Sequence, residues 1–230
     1  MIEVKGLKKV YKTTTVVDVE SLTIGNNESF GLVGNNGAGK TTLFRMMLDL
    51  VKASTGVVTI DGKNVQSNDE WKKQVGSFLD EGFLIPYLTP NEYFRFVGNL
   101  HGYSAADLNS FLDRFEVFFH GEINGQNKYI GDLSKGNLKK VGIAASFIGN
   151  PQVIMLDEPF ENLDPTSQIR LKELLQAERK LRQVTYLISS HVLNHVTEIC
   201  DRIVLLEKGK IIKDLRGNTT LAELEEYFKA

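Results

Sequence analysis

The sequence predicts an α/β fold: a core with a mostly parallel sheet, an antiparallel β subdomain at the N-terminus, and an inserted helical subdomain. Three observations predict it. The early apolar residues Ile2, Val4 and Leu7, then Val16, Val17, Val19, Leu22 and Ile24, follow the period-two pattern of antiparallel strands. The later runs Val153-Ile154-Met155-Leu156 and Val184-Thr185-Tyr186-Leu187-Ile188 are almost continuously apolar, as strands covered on both faces are. Between these regions, over about residues 87–150, the apolar period becomes helical.

Taken in order, Val10, Tyr11 and Lys12 close a strand ahead of a polar turn. The apolar run Phe30-Gly31-Leu32-Val33 then enters Gly34-Asn35-Asn36-Gly37-Ala38-Gly39-Lys40-Thr41-Thr42, which precedes the helical segment Leu43-Phe44-Arg45-Met46-Met47-Leu48. Strand, glycine loop and helix are the context that makes G-x-x-x-x-G-K-[ST] a phosphate site and the core a P-loop NTPase core. Glycines let successive N–H groups approach an anion, and the helix start adds its positive dipole end. Lys40 is expected to reach the β- and γ-phosphates of a nucleoside triphosphate, and the Thr41 hydroxyl to ligate Mg²⁺.

Further strands are expected over residues 56–62 and 76–81. Thr89 is placed as an N-cap with Pro90 at the first helical position, ahead of Tyr93, Phe94, Phe96, Val97 and Leu100. Ser104 caps a second helix carrying Leu108, Leu112 and Phe115, whose spacing reads as core. After a polar loop at residues 121–128, a third helix starts at Leu133-Ser134 and runs through Ile143, Ala144 and Phe147. Helices from Pro165 and Val192 flank the last parallel strand. A hairpin turning at Lys208-Gly209 and a short amphipathic helix from Leu221 to Phe228 close the chain. No internal repeat or linker interrupts residues 1–230, which read as a single domain.

Composition narrows the function classes. The chain has 230 residues, 42% of them hydrophobic, enough for one large globular core. A formal net charge of −2 offers no electrostatic case for nucleic acid as a partner. The lone Cys200 rules out an internal disulfide framework and suits a reducing compartment. No apolar run has membrane-spanning length, and Met1-Ile2-Glu3-Val4-Lys5 does not read as a signal peptide.

Two acids end an apolar strand at Leu156-Asp157-Glu158. In a phosphate-loop protein that strand places Asp157 to hold the Mg²⁺ hydration shell, and Glu158 can polarise the attacking water as general base. Ser189-Ser190-His191 ends another apolar strand. His191 and His195 share i, i+4 spacing, but no matching Cys, Asp or Glu set argues for zinc, and His195 reads as a helix-surface residue.

With these motifs in this order, the chain resembles the ATP-binding domain of ABC transporters over essentially its whole length. The phosphate loop and the Asp157-Glu158 strand match that family's Walker A and Walker B elements. Tyr11 falls where the family stacks an aromatic ring on adenine; from the residue alone, a core tyrosine stays open. Leu133-Ser134-Lys135-Gly136-Asn137 is similar to the family signature L-S-G-G-Q. The resemblance implies that Ser134, Gly136 and Asn137 bind ATP held by a second subunit, in a head-to-tail homodimer or heterodimer. Read without the family, Ser134 is an N-cap. Glu161-Asn162-Leu163-Asp164 resembles the D-loop, and His191 the switch histidine.

Two departures stand out. Asp80 occupies the place of the usual Q-loop glutamine, with Glu81 next. A carboxylate can approach Mg²⁺ but cannot donate as an amide does. Lys135 replaces the first signature glycine, and Asn137 the glutamine. Both departures resemble simple bacterial export-type subunits.

The resemblance implies an ATPase that binds ATP and Mg²⁺ and drives a separate membrane permease. Such a subunit is expected to be cytoplasmic, peripheral on the inner face of the membrane. No regulatory domain is expected beyond Phe228, which with Asp80 favours export. Phe83, Leu84, Ile85, Tyr87 and Leu88 form either a docking surface for the permease or a buried segment beneath the helices. Two other readings remain: a soluble non-transport ATPase of the same type, and a low-turnover regulatory subunit. No long heptad segment supports the DNA-repair type, and no Asn-Lys-x-Asp motif supports a GTPase.

Overall fold

The computed structural model describes residues 1–217 and 221–229. Strands β1 (Ile2–Tyr11) and β2 (Thr14–Ile24) pair antiparallel, with Ile2 opposite Ile24, Val4 opposite Leu22 and Leu7 opposite Val19. Because side chains alternate across a strand, this register gathers the apolar half on one face, where all of these residues are buried. Strand β4 (Thr55–Ile60) pairs antiparallel with β1, and β5 (Lys63–Asn64) completes the sheet in the order β2-β1-β4-β5.

A second sheet is built from β3 (Ser29–Val33), β6 (Val75–Phe78), β7 (Val153–Asp157), β8 (Thr185–Ser190), β9 (Arg202–Glu207) and β10 (Lys210–Arg216). Its order is β10-β9-β3-β8-β7-β6, parallel throughout except for the β9–β10 hairpin. Strands β3, β7 and β8 are buried along their full length. Alternation divides their side chains between two cores. Ile154, Leu156, Tyr186 and Ile188 join one; Val153, Met155, Leu187 and Phe30 join the other, which also holds the apolar face of the antiparallel sheet.

Helix α1 (Lys40–Met47) follows the glycine loop and buries Leu43, Phe44, Met46 and Met47 in the second core. Helices α2 (Pro90–Leu100), α3 (Ala105–Asp113), α4 (Glu116–Phe119) and α5 (Lys135–Ser146) lie between β6 and β7 in sequence. Thr89 with Glu92, and Ser104 with Asp107, form reciprocal capping boxes, so the expected helix starts are also the observed ones. Phe115 is not on the second helix as expected. That helix stops at Asp113, and the chain turns so that Phe115 leads into α4. Burial overrides helical continuity there: Phe115 is fully buried and its ring meets Phe111, Phe119 and Phe147.

Helix α5 lies unusually close to β6. A Cβ on Gly142 would stand 2.0 Å from the Phe78 ring, and one on Gly76 would stand 1.8 Å from the Ser146 carbonyl oxygen. Only hydrogen at these two positions allows the approach. Helices α6 (Pro165–Arg182), α7 (Leu193–Thr197) and α8 (Leu221–Lys229) complete the chain. The strand expected over residues 76–81 ends at Phe78, and Glu81–Phe83 form a single 3₁₀ turn. Among the described residues, no helix is long and apolar enough to cross a membrane.

Candidate nucleotide site

The carboxyl ends of β3, β7 and β8 are neighbours in the sheet, and the three motifs that follow them meet there. This is where ligands bind in open α/β sheets. The loop 34–39 turns through positive φ at Gly37 (82°) and Gly39 (107°). Gly39 is the N-cap of α1, and no side chain caps that helix. Its first amide to bond within the helix is that of Leu43, so the N–H groups of Lys40, Thr41 and Thr42 are free of intrahelical partners. An uncapped helix start with no acid in its first turn fits an anion. Asn35, Asn36 and Gly37 are exposed, while Gly34, Ala38 and Gly39 are buried.

The β9–β10 turn braces this loop from behind. The Gly209 amide donates to Ala38 O at 2.8 Å, and the Asp18 amide donates to Gly209 O at 2.8 Å. Loop, hairpin and antiparallel sheet are thereby joined by hydrogen bonds.

Lys40 is almost fully buried. Its Nζ donates to Gly34 O at 2.6 Å and lies 3.2 Å from Glu158 Oε1. That pair is an ion contact without a directed hydrogen bond, so Glu158 Oε1 is a buried acceptor with spare capacity. Thr41 Oγ1 donates to Asp157 Oδ2, and Ser189 Oγ to Asp157 Oδ1. Burial pushes the Asp157 carboxyl up from its ordinary value; the bonds from Ser189 and Thr41 oppose that shift, and Glu158 adds to it. A hydroxyl and a carboxylate side by side are hard oxygen donors of the kind Mg²⁺ takes. These residues fit the expected ion.

Glu158 has φ 46°, in the left-handed region. Its amide donates to Ser189 Oγ at 3.0 Å. Its Oε2 accepts from the His191 amide at 3.2 Å and lies 3.0 Å from His191 Nδ1. Lys40, Thr41, Asp157, Glu158 and His191, expected together from the sequence, are in fact brought together.

Tyr11 ends β1 with 48% of its surface exposed, and Lys9 Nζ lies 4.8 Å from the ring centre. It is therefore not a core tyrosine. Ser134 caps α5 by accepting from the Asn137 amide at 3.2 Å, and it is exposed beside Lys135. A Cβ on Gly136 would reach 3.0 Å from Asn162 O, so residues 161–164 pack against the signature segment of the same chain.

Asp80 is not drawn into this group. Its Oδ2 pairs with Arg45 at 3.1 Å and its Oδ1 accepts from the Gly82 amide at 2.7 Å, contacts shared with neither Thr41 nor Asp157. The short carboxylate is used to start the turn at Glu81–Phe83. His195 also departs from expectation. It is half-buried and stacked on Phe160 at 4.5 Å, and burial pushes its imidazole down. Among the described residues, no group of three or more His, Cys, Asp or Glu could hold a metal ion. Of residues 83–88, Phe83 and Tyr87 are exposed and Leu84 is buried, so both readings of that segment hold in part.

Sequence reasoning missed Ser189 as an Asp157 partner and missed Lys139 altogether. Lys139 Nζ donates to Glu158 O at 2.7 Å from within α5. Ser189 was within reach, two residues before His191 on a strand tip. Lys139 and Lys140 carry no such signal, since paired lysines on a helix read as a solvated face.

A protein-family model described as ABC transporter matches residues 17–161. The ABC transporter ATP-binding protein NatA of Bacillus subtilis (strain 168) is 37% identical over 207 residues, covering 89% of this chain and 82% of NatA. The lantibiotic transport ATP-binding protein SrtF of Streptococcus pyogenes is 30% identical over 226 residues, covering 97% and 95%. A dimeric ATP-binding cassette, solved in a post-hydrolysis state bound to ADP and Pi, superposes with a TM-score of 0.82 at 22% identity, covering 96% and 100%; at that identity it speaks for the fold alone. The family model covers more than half the chain and contains the phosphate loop, the signature segment and the Asp157-Glu158 strand. The chain belongs to the ABC transporter family and is one of its ATP-binding, ATPase-type cassettes.

Proposed function

We propose that two such cassettes close around two ATP-Mg²⁺ and drive a separate membrane permease from its cytoplasmic face, in the direction of export. The convergence of Lys40, Thr41, Asp157, Glu158 and His191 at the ends of adjacent strands carries this reading. Residues 1–230 act as one ATP-binding domain, with about 87–150 as its inserted helical subdomain.

Loop amides 34–39, Lys40, Thr41 and Thr42 hold the phosphates, and Tyr11 stacks on the base. Thr41 and Asp157 hold Mg²⁺, which supplies charge neutralisation on the phosphoryl oxygens. Glu158 takes the proton of the attacking water, and the bond between phosphorus and the departing ADP oxygen breaks. His191 fixes Glu158 Oε2 through its amide and faces it with Nδ1. Ser134, Gly136 and Asn137 serve the ATP of the partner cassette, which the exposure of Ser134 and the helix-start position of all three favour.

For the permease, the groove of about 290 Å³ between β6, α2 and α5 supports a docking role. It is lined by Leu79, Phe83, Leu84, Tyr93 and Val97, with the exposed Phe83 ring at its rim. Export is favoured by similarity to a lantibiotic transport protein and by the acidic Asp80.

The test is Glu158→Gln, examined by light scattering with and without ATP-Mg²⁺. Loss of the base should hold the closed state, turning monomer into an ATP-dependent dimer. A variant that binds ATP yet stays monomeric removes the homodimer, and one that binds no ATP removes the site.

A further inference from the structure

Lys139 sits in the second turn of α5 with 3% of its surface exposed. A buried ammonium is rare, and its desolvation is costly unless it is paired. Its partners are informative. Nζ donates to the main-chain oxygen of Glu158 at 2.7 Å and lies 3.8 Å from Glu81 Oε1 on the loop after β6. One charge thus touches the signature helix, the segment of the candidate base and the loop that follows Asp80.

The Glu158 backbone is the reason this contact matters. With φ 46° it occupies a conformation that non-glycine residues seldom adopt without outside support. Both of its main-chain polar groups are held by side chains from other elements: the amide by Ser189 Oγ, the carbonyl by Lys139 Nζ. The Glu161 amide adds a weaker, local bond to the same carbonyl at 3.2 Å. Rotation of this peptide would swing the carboxylate away from Lys40 and His191, which it now contacts together.

We propose that Lys139 is a positioning residue for ATP hydrolysis, fixing Glu158 through its main-chain oxygen and tying it to Glu81. The proposal rests on Glu158 being the base, as argued above. Lys139 does not touch substrate; it sets where the Glu158 carboxylate points. Since Glu81 belongs to the loop beside the apolar groove, a partner that moves this loop changes the Glu81–Lys139 pair and, through it, the base.

The experiment compares Glu158→Gln, Lys139→Met and Lys139→Gln in the full chain, measuring kcat, KM, ATP affinity and Tm. Methionine keeps the length and loses the donor; glutamine keeps a donor without the charge. Lys139→Met should lower kcat by about tenfold or more with KM and ATP affinity within about twofold, since a misplaced catalytic group costs rate rather than binding. Lys139→Gln should recover most of that loss at similar Tm. Wild-type kcat in both Lys139 variants, with Glu158→Gln slow, overturns the proposal. So does a parallel loss of Tm and ATP affinity in the Met variant that Gln does not relieve. If Lys139→Met does not fold, a folded Lys139→Gln with kcat more than about tenfold down overturns the hydrogen-bond argument. Wild-type turnover in Glu158→Gln instead removes the base assignment itself, and is read separately.

Discussion

At the scale of the residue, Tyr11 separates binding from folding. It is half-exposed at a strand end, with Lys9 over its ring, so its removal leaves no cavity. Tyr11→Ala is expected to weaken ATP affinity by about fivefold to tenfold, the loss of one base–aromatic stack. Tyr11→Phe should retain affinity, and neither should shift Tm by more than about a degree, as surface changes seldom do. Nucleotide titration followed by calorimetry checks all three. The residues of the phosphate loop were legible because the chemistry is contiguous: glycines, lysine and threonine lie within nine positions, and each does locally what its type predicts. Lys139 was not legible for the opposite reason. Its partners Glu158 and Glu81 are distant in sequence, and no periodicity in α5 announces it. Asp80 shows a third case: the position was found, but Arg45 from α1 claims its carboxylate.

At the scale of the element, the seating of α5 on β6 is set by two missing side chains. Gly76→Ala would drive a methyl group into the Ser146 carbonyl, where backbone rather than a flexible side chain stands in the way. Such overpacking should destabilise the protein by at least about 2 kcal/mol, read as a lower denaturant midpoint at unchanged m-value. Because α5 carries Ser134 at its start and Lys139 in its second turn, a displaced helix should also slow turnover in the variant. Helix starts were readable in the sequence since caps are local: Thr89, Ser104, Ser134 and Asp164 all accept from their own helices. Helix ends were less so. The stop at Asp113 answers to the burial of Phe115 among Phe111, Phe119 and Phe147, a demand made by the assembled core.

At the scale of the whole molecule, Arg202 fastens the two sheets together. From β9 it donates to Thr23 O in β2, to Glu28 before β3, and through two nitrogens to Asp214 in β10. The hydrogen bonds from Arg202 hold the Asp214 carboxyl below its ordinary value, against the opposite pull of burial. A lowered folded value stabilises the protein above the unfolded pKa, near pH 4, and the contribution fades as pH falls through the folded value. Asp214→Asn should therefore lower stability at pH 7 and flatten its decline as pH falls below about 4. Urea midpoints for variant and parent across that range decide the matter.

The order of the larger sheet has a consequence in time. Strand β3, which feeds the phosphate loop, lies between β8 and β9, and its loop is braced by Gly209. A chain emerging from the ribosome makes β3 early yet finds neither neighbour until residues 185–209 follow. Its contacts are of long sequence separation, the kind whose closing entropy must be overcome before any reward. The nascent segment therefore waits unpaired through most of synthesis, and competence to hold a triphosphate arrives late and all at once.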